Sequence, residues 1–313
     1  MATEGDRPQA DQPKREQRTA LLSAVAVFAV LLLAVGGAIW MTSDVPSDRE
    51  APESAEAAAD HRPLLIHLGD SYASGAGTTP LVEDSPFQCQ RSSRNFGQLT
   101  AKKRDLRVLD VTCAGATSDD FYQEQYDGVA PQLDAVTEAA DYVTLTIGGN
   151  DSAIYTVMVG ECTRLAADDP TGAPCRTTVG GTPFRQIAET RKSVERALRD
   201  IRARAPHAGI LIAGYPWLMP ATTACRPAVG VADGDVAYVH RVQAALNDAI
   251  AEAAAAAGAT FVDMSTRSVG HEACAPRGTR WIEPQIGADS PIVMHPNALG
   301  QQAIADAVAG HLR

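Results

Sequence analysis

The sequence predicts a three-layer α/β/α domain built on a central five-stranded parallel sheet. Three observations lead there. From Pro63 onward, short apolar runs alternate with longer amphipathic stretches, the pattern of strands joined by crossover helices. Strand, helix, strand in steady succession makes the strands parallel and the crossovers right-handed. Finally, segments rich in small and polar residues follow the strand ends, where sheets of this kind bind their ligands.

In chain order, Leu64 to Leu68 is the first strand, and it runs directly into Gly69-Asp70-Ser71. Arg107 to Val111 is the second, followed by CAGATSDD, and Tyr142 to Ile147 the third, followed by GGNDS. Glu161 to Gly181 is polar, contains Pro and Gly, and reads as a surface excursion near the cleft. Phe184, Ile187, Val194, Leu198 and Ile201 then recur near helical spacing, ahead of a fourth strand at Gly209 to Ala213. The Ala-rich stretch Val236 to Ala257 fills the next gap, and Thr260 to Asp263 is the fifth strand. HPNALGQQAIADAV opens the last helix, with Asn297 placed to cap it.

Four regions divide the 313 residues. Residues 1–19 are polar and aperiodic, a disordered cytoplasmic tail. Residues 20–41 read as a transmembrane signal-anchor: Ala20 to Trp40 carries no charge, and at about 1.5 Å per residue it just spans a ~30 Å hydrocarbon core. Cleavage and secretion is the alternative. Lys14, Arg15 and Arg18 precede the span, which by the positive-inside rule leaves the N-terminus cytoplasmic and the rest of the chain outside the cell membrane. Residues 42–62 form a flexible linker rich in Ala, Glu, Asp, Ser and Pro, and residues 63–313 the catalytic domain, expected to be monomeric.

Composition excludes some classes. A formal net charge of -11 argues against nucleic acid, whose phosphates need clustered Lys and Arg. Six cysteines without CxxC spacing or a nearby histidine cluster argue against tetrahedral zinc and for disulfides. Sequential pairing closes only short or moderate loops, so Cys89–Cys113, Cys162–Cys175 and Cys225–Cys274 are the expected pairs among fifteen connectivities, with buried free thiols as the alternative.

A serine at a strand end among small residues is how a serine nucleophile is usually mounted, and it needs a base and a means of holding negative charge. Ser71 alone is weak evidence, since Gly-Asp-Ser also makes an ordinary turn. Gly115 in CAGATS lets a backbone N–H approach a ligand closely. Asn150 in IGGND can point an amide into the same cleft, although Asn150-Asp151-Ser152 also matches a glycosylation sequon. With the Ser71 N–H these make three donors for a developing oxyanion. Of the seven histidines, His295 is the best base, while His67 lies inside the first strand and reads as core.

GDSYASG, the Gly115 turn, GGND and HPN resemble, in order, the four signature blocks of the SGNH or GDSL hydrolase superfamily, from Leu64 to the C-terminus. The cysteines, RWIEP and HPNALGQQAIADAV look like the secreted Streptomyces-type lipases and esterases of that superfamily. The resemblance implies a flavodoxin-like sheet, Ser71 as nucleophile, Gly115 and Asn150 in the oxyanion hole, His295 as base, and no metal or cofactor. It implies a lipase or esterase working through a Ser-His dyad and an acyl-enzyme. A phospholipase or glycan O-acetyl esterase on the same fold is the alternative, and an inactive membrane-tethered binding domain a more distant one. One departure stands out: the superfamily usually has Asp three residues before the histidine, and here that position is Ile292. The similar Streptomyces-type enzymes use a backbone carbonyl instead, carried over to Ile292, with Asp289 and Glu283 as substitutes. The α/β-hydrolase fold is disfavoured because Gly69 and Ala73 flank Ser71 with only the first of its two glycines.

Overall fold

A computed structural model describes residues 60–312. The expected tail, membrane span and most of the linker lie outside these residues. Among the described residues no helix is long and apolar enough to cross a membrane.

The strands are β1 (Leu64–Gly69), β2 (Arg107–Asp110), β3 (Tyr142–Thr146), β4 (Gly209–Ala213) and β5 (Thr260–Val262). They form one parallel sheet in the order β2-β1-β3-β4-β5, the flavodoxin-like order, with the chain reversing its winding direction between β1 and β3. Alternate strand residues feed opposite cores, as a period of two requires. Ile66, Leu68, Val143, Leu145 and Ile212 pack with the helices Thr182–Arg204 and Val236–Ala256. On the other face Leu65, Leu211, Ala213 and Val262 pack with the helices Phe96–Arg104 and Ala298–Ala309. His67 is fully buried and satisfied, Nδ1 facing Thr144 Oγ1 at 2.9 Å and Nε2 facing Ala73 O at 3.0 Å.

Four strand ends shift by one residue from the sequence reading, β1 running on to Gly69 and β2, β3 and β5 closing at Asp110, Thr146 and Val262, and one further stretch gains structure. β2 closes at Asp110, whose carboxylate accepts from Thr112 N at 3.1 Å and Thr112 Oγ1 at 2.7 Å, while Val111 N still donates to His67 O at 3.0 Å. The expected excursion at Glu161 to Gly181 contains two short helices, Cys162–Ala166 and Pro174–Val179. The Cys162–Cys175 disulfide joins them, and Asp235 accepts from Cys175 N at 2.7 Å and Arg176 N at 2.8 Å. The other disulfides are Cys89–Cys113 and Cys225–Cys274, so all six cysteines are paired.

Candidate active site

The short helix α1 (Ser71–Ser74) starts where β1 ends. Gly69 makes the exit possible: its φ is 121°, and a Cβ there would stand 2.3 Å from Thr146 O. Asp70 caps α1, accepting from Tyr72 N at 2.9 Å. Ser71 is therefore the first helical residue, and its N–H donates to no group among the described residues. The residue is 8% exposed.

The second block is tied alongside the first. Cys113 N donates to Gly69 O and Ala114 N to Cys89 O, both at 3.0 Å, and the Cys89–Cys113 disulfide locks the pair. Gly115 follows with φ 81° and no atom closer than 3.6 Å to where its Cβ would be. Its N–H is likewise without a partner among the described residues.

Beyond β3, Gly149 N donates to the Tyr215 hydroxyl at 2.8 Å and Asn150 Nδ2 to Ala116 O at 2.9 Å. A primary amide has two N–H groups, so one remains after this anchoring bond. Asp151 accepts from Ser118 N at 2.9 Å and Ser118 Oγ at 2.7 Å, joining the third block to the second. Burial raises the pKa of this carboxyl, and the Ser118 bonds oppose the shift.

His295 closes the set. Its Nε2 lies 2.7 Å from Ser71 Oγ and its Nδ1 2.8 Å from Val293 O. A carbonyl can only accept, so Nδ1 carries the proton and the Nε2 lone pair faces the Ser71 hydroxyl. The carbonyl belongs to Val293 and not to Ile292, a correction of one residue. Met294 adopts a left-handed φ of 56°, and this bend turns the carbonyl two residues back toward the ring. Ile292 N is held instead by Ser290 Oγ at 3.3 Å.

Neither carboxylate substitute reaches the imidazole. Asp289 pairs with Arg277 and accepts from Arg280 Nη2 at 3.0 Å. Glu283 accepts from Arg280 Nη2 at 3.1 Å, Asp289 N at 2.7 Å and Asn297 Nδ2 at 2.9 Å. Around His295, the Tyr72 and Tyr155 rings stand 5.1 and 5.8 Å away, and both hydroxyls donate to Met294 O. Burial pulls the His295 pKa below its ordinary 6.5, with the Val293 carbonyl opposing, so the ring is neutral at pH 7. A hydroxyl facing a neutral, oriented imidazole, with two free backbone donors and one amide donor nearby, is equipped for acyl transfer. Among the described residues no cluster of three or more His, Cys, Asp or Glu could hold a metal ion.

Four polar residues of this neighbourhood escaped the sequence reading: Asp70, Tyr72, Tyr155 and Tyr215. Asp70 and Tyr72 flank Ser71, and Tyr215 follows the carboxyl end of β4, the position that marked the other blocks. Tyr155 carried no comparable signal.

Fold and site together define a serine hydrolase that acts on esters. Residues 67–303 match the GDSL-like Lipase/Acylhydrolase family. The chain is 40% identical over 298 residues to Lipase 2 of Streptomyces coelicolor, covering 94% of this chain and 97% of that protein. It thus belongs to the GDSL-like lipase/acylhydrolase family. Its fold is similar to those of phospholipase A1 from Streptomyces albidoflavus NA297 (TM-score 0.68, 24% identity, 80% of this chain and 100% of that one) and an extracellular lipase from Streptomyces rimosus (TM-score 0.64, 26% identity, with the same coverage).

Proposed function

We propose that the protein is an extracytoplasmic carboxylic ester hydrolase, a lipase or esterase working through a Ser71–His295 dyad. The 2.7 Å contact between Ser71 Oγ and the unprotonated Nε2 of His295 carries this reading. His295 takes the hydroxyl proton as Ser71 Oγ attacks the ester carbonyl, and the Ser71 N–H, Gly115 N–H and second Asn150 N–H hold the tetrahedral oxyanion. His295 then protonates the leaving alkoxide, and water, activated by the same imidazole, hydrolyses the acyl-enzyme. Val293 O stabilises the transient imidazolium in place of a carboxylate.

Three disulfides suit an oxidising compartment, and a relative described as an extracellular lipase fits that location. Anchoring by residues 20–41, with residues 63–313 as a monomeric catalytic domain outside the membrane, completes the proposal. A fluorophosphonate probe tests the chemistry: it should label wild type at Ser71 and leave Ser71→Ala unlabelled. Hydrolysis of a series of p-nitrophenyl esters, phospholipids and acetylated glycans assigns the substrate class. Failure to label Ser71 in folded protein would refute the dyad.

A further inference from the structure

The β1–β3 ladder ends at Gly69 and Thr146, extended by one bond, Asp70 N to Thr146 O at 3.0 Å. Past that bond the two chains diverge into the Ser71 and Asn150 blocks. The Tyr215 hydroxyl bridges them at the residues next to the two donors: it donates to Asp70 Oδ2 and accepts from Gly149 N at 2.8 Å. Asp70 immediately precedes Ser71, and Gly149 immediately precedes Asn150. Asp70 and Tyr215 are both essentially buried, at 1% exposure each, so water does not substitute for either bond. The contact is close on every side. A Cβ on Gly149 would lie 2.9 Å from the Tyr215 oxygen, and the Tyr215 ring meets the Tyr72 ring edge-on at 5.0 Å. The segment after β4 thus supplies one hydroxyl to the junction of two blocks that it does not itself belong to.

We infer that Tyr215 is a positioning residue for ester hydrolysis, its hydroxyl fixing the Ser71 N–H and the Asn150 amide at the separation that the tetrahedral oxyanion requires. The inference rests on the reading of Ser71 and Asn150 given above. Because oxyanion donors act only when placed to within a fraction of an ångström of the developing charge, loss of the bridge lowers turnover while leaving ground-state binding nearly intact. Burial pushes the Asp70 carboxyl up to about 7, and the Tyr215 hydroxyl opposes that shift; measurements at pH 8 keep it ionised in wild type.

The test is Tyr215→Phe, which keeps the ring and removes the oxygen. Turnover of p-nitrophenyl butyrate at 25 °C and pH 8 is expected to fall about 10- to 100-fold with KM within about threefold. Affinity for an alkylboronic acid, whose tetrahedral adduct on Ser71 puts an oxygen among the same donors, should fall in parallel. Gly149→Ala, which pushes on the hydroxyl from the other side, should give the same pattern and serves if Tyr215→Phe fails to fold. A melting temperature that drops while turnover and boronate affinity stay within threefold of wild type would make Tyr215 a packing residue only, and the inference would be wrong. Ser71→Ala is measured alongside: residual turnover there overturns the nucleophile assignment itself, whatever Tyr215→Phe does.

Discussion

Replacing Glu283 by Gln separates two ways of orienting a catalytic histidine. Glu283 is 2% exposed and lies in the strand-like segment beside His295, where a carboxylate partner for the imidazole would be sought. Its oxygens are taken by Arg280, Asp289 N and Asn297, and the imidazole Nδ1 is on Val293 O. The substitution should therefore affect stability and spare catalysis. Breaking a buried ion pair by removing one partner costs about 3–5 kcal/mol. Here Arg280 retains Asp289 Oδ2 at 3.0 Å and Gly287 O at 3.0 Å, so about half that, roughly 2 kcal/mol, is the expected loss. For a domain of this size each kcal/mol moves Tm by about 2–4 °C, which puts the fall at about 4–8 °C. Turnover at 25 °C, measured on p-nitrophenyl butyrate with the fold checked by circular dichroism, should stay within about threefold. Asp289→Asn, at a half-exposed carboxylate, should do still less. A carboxylate serving as third member of a triad behaves differently, its amide variant losing about 10⁴-fold in the serine proteases. A loss of 10³-fold or more in folded Glu283→Gln would refute orientation by the main chain.

Three further outcomes are expected. Asn150→Ala should lose about 10²- to 10³-fold in kcat with a small change in KM; a change confined to KM would make Asn150 a binding or turn residue. Activity should rise with pH on an acid limb centred below 6.5, since burial lowers the His295 pKa and the neutral ring is the base in the proposed dyad. The same shift means that the unfolded chain binds this proton more readily, so the contribution of His295 to stability is lost as pH falls from 6.5 through its folded value; an acid limb centred above 6.5 would contradict both statements. Reduction of the disulfides should lower Tm, most through Cys225–Cys274, whose ends are 49 residues apart, a closure worth about 4 kcal/mol by the loop-entropy relation. Selective loss of that bond with no change in melting would refute the estimate.

The strands were legible because a parallel strand buried on both faces is a nearly unbroken apolar run with a turn at its end, and β1, β3 and β4 read that way. The end of β2 was harder to bound, because past Asp110 the main chain still donates to β1, Val111 N to His67 O at 3.0 Å, while the Asp110 carboxylate makes a side-chain turn with Thr112. The segment after Asn150 was less legible for a related reason. Ser152 and Ala153 take left-handed φ values of 51° and 57°, and Val157–Glu161 winds as a π-helix, so the apolar spacing of Ile154 and Met158 signals a helix but not its irregular path. Ser71, Gly115, Asn150 and His295 stood out because each lies in a segment that follows a strand or opens a helix, where a side chain, or at Gly115 a backbone N–H, is free to face a ligand. Tyr215 lies in such a segment as well. It carries no nucleophile, base or free donor, and only the fold reveals which two blocks its hydroxyl joins.

The missing aspartate also explains the segment RWIEP, legible in the sequence only as a family mark. A side-chain carboxylate can be aimed by its own rotamer, but a carbonyl points wherever its peptide plane is held, so orientation by Val293 O requires the chain around His295 to be immobile. Residues Arg280 to Glu283 supply that constraint. Ile282 pairs with Pro296 in an antiparallel bridge, Met294 N donates to Glu283 O at 2.7 Å, Glu283 N donates to His295 O at 2.9 Å, and Asn297 N donates to Trp281 O at 2.7 Å. From the opposite side Tyr72 and Tyr155 hold the Met294 carbonyl. The left-handed bend at Met294 is thereby over-determined, as a sparsely populated backbone conformation must be to persist. Glu283, its carboxylate taken by Arg280, Asp289 N and Asn297, contributes to that strap through its main chain, bonded to Met294 N and His295 O, which Glu283→Gln leaves in place.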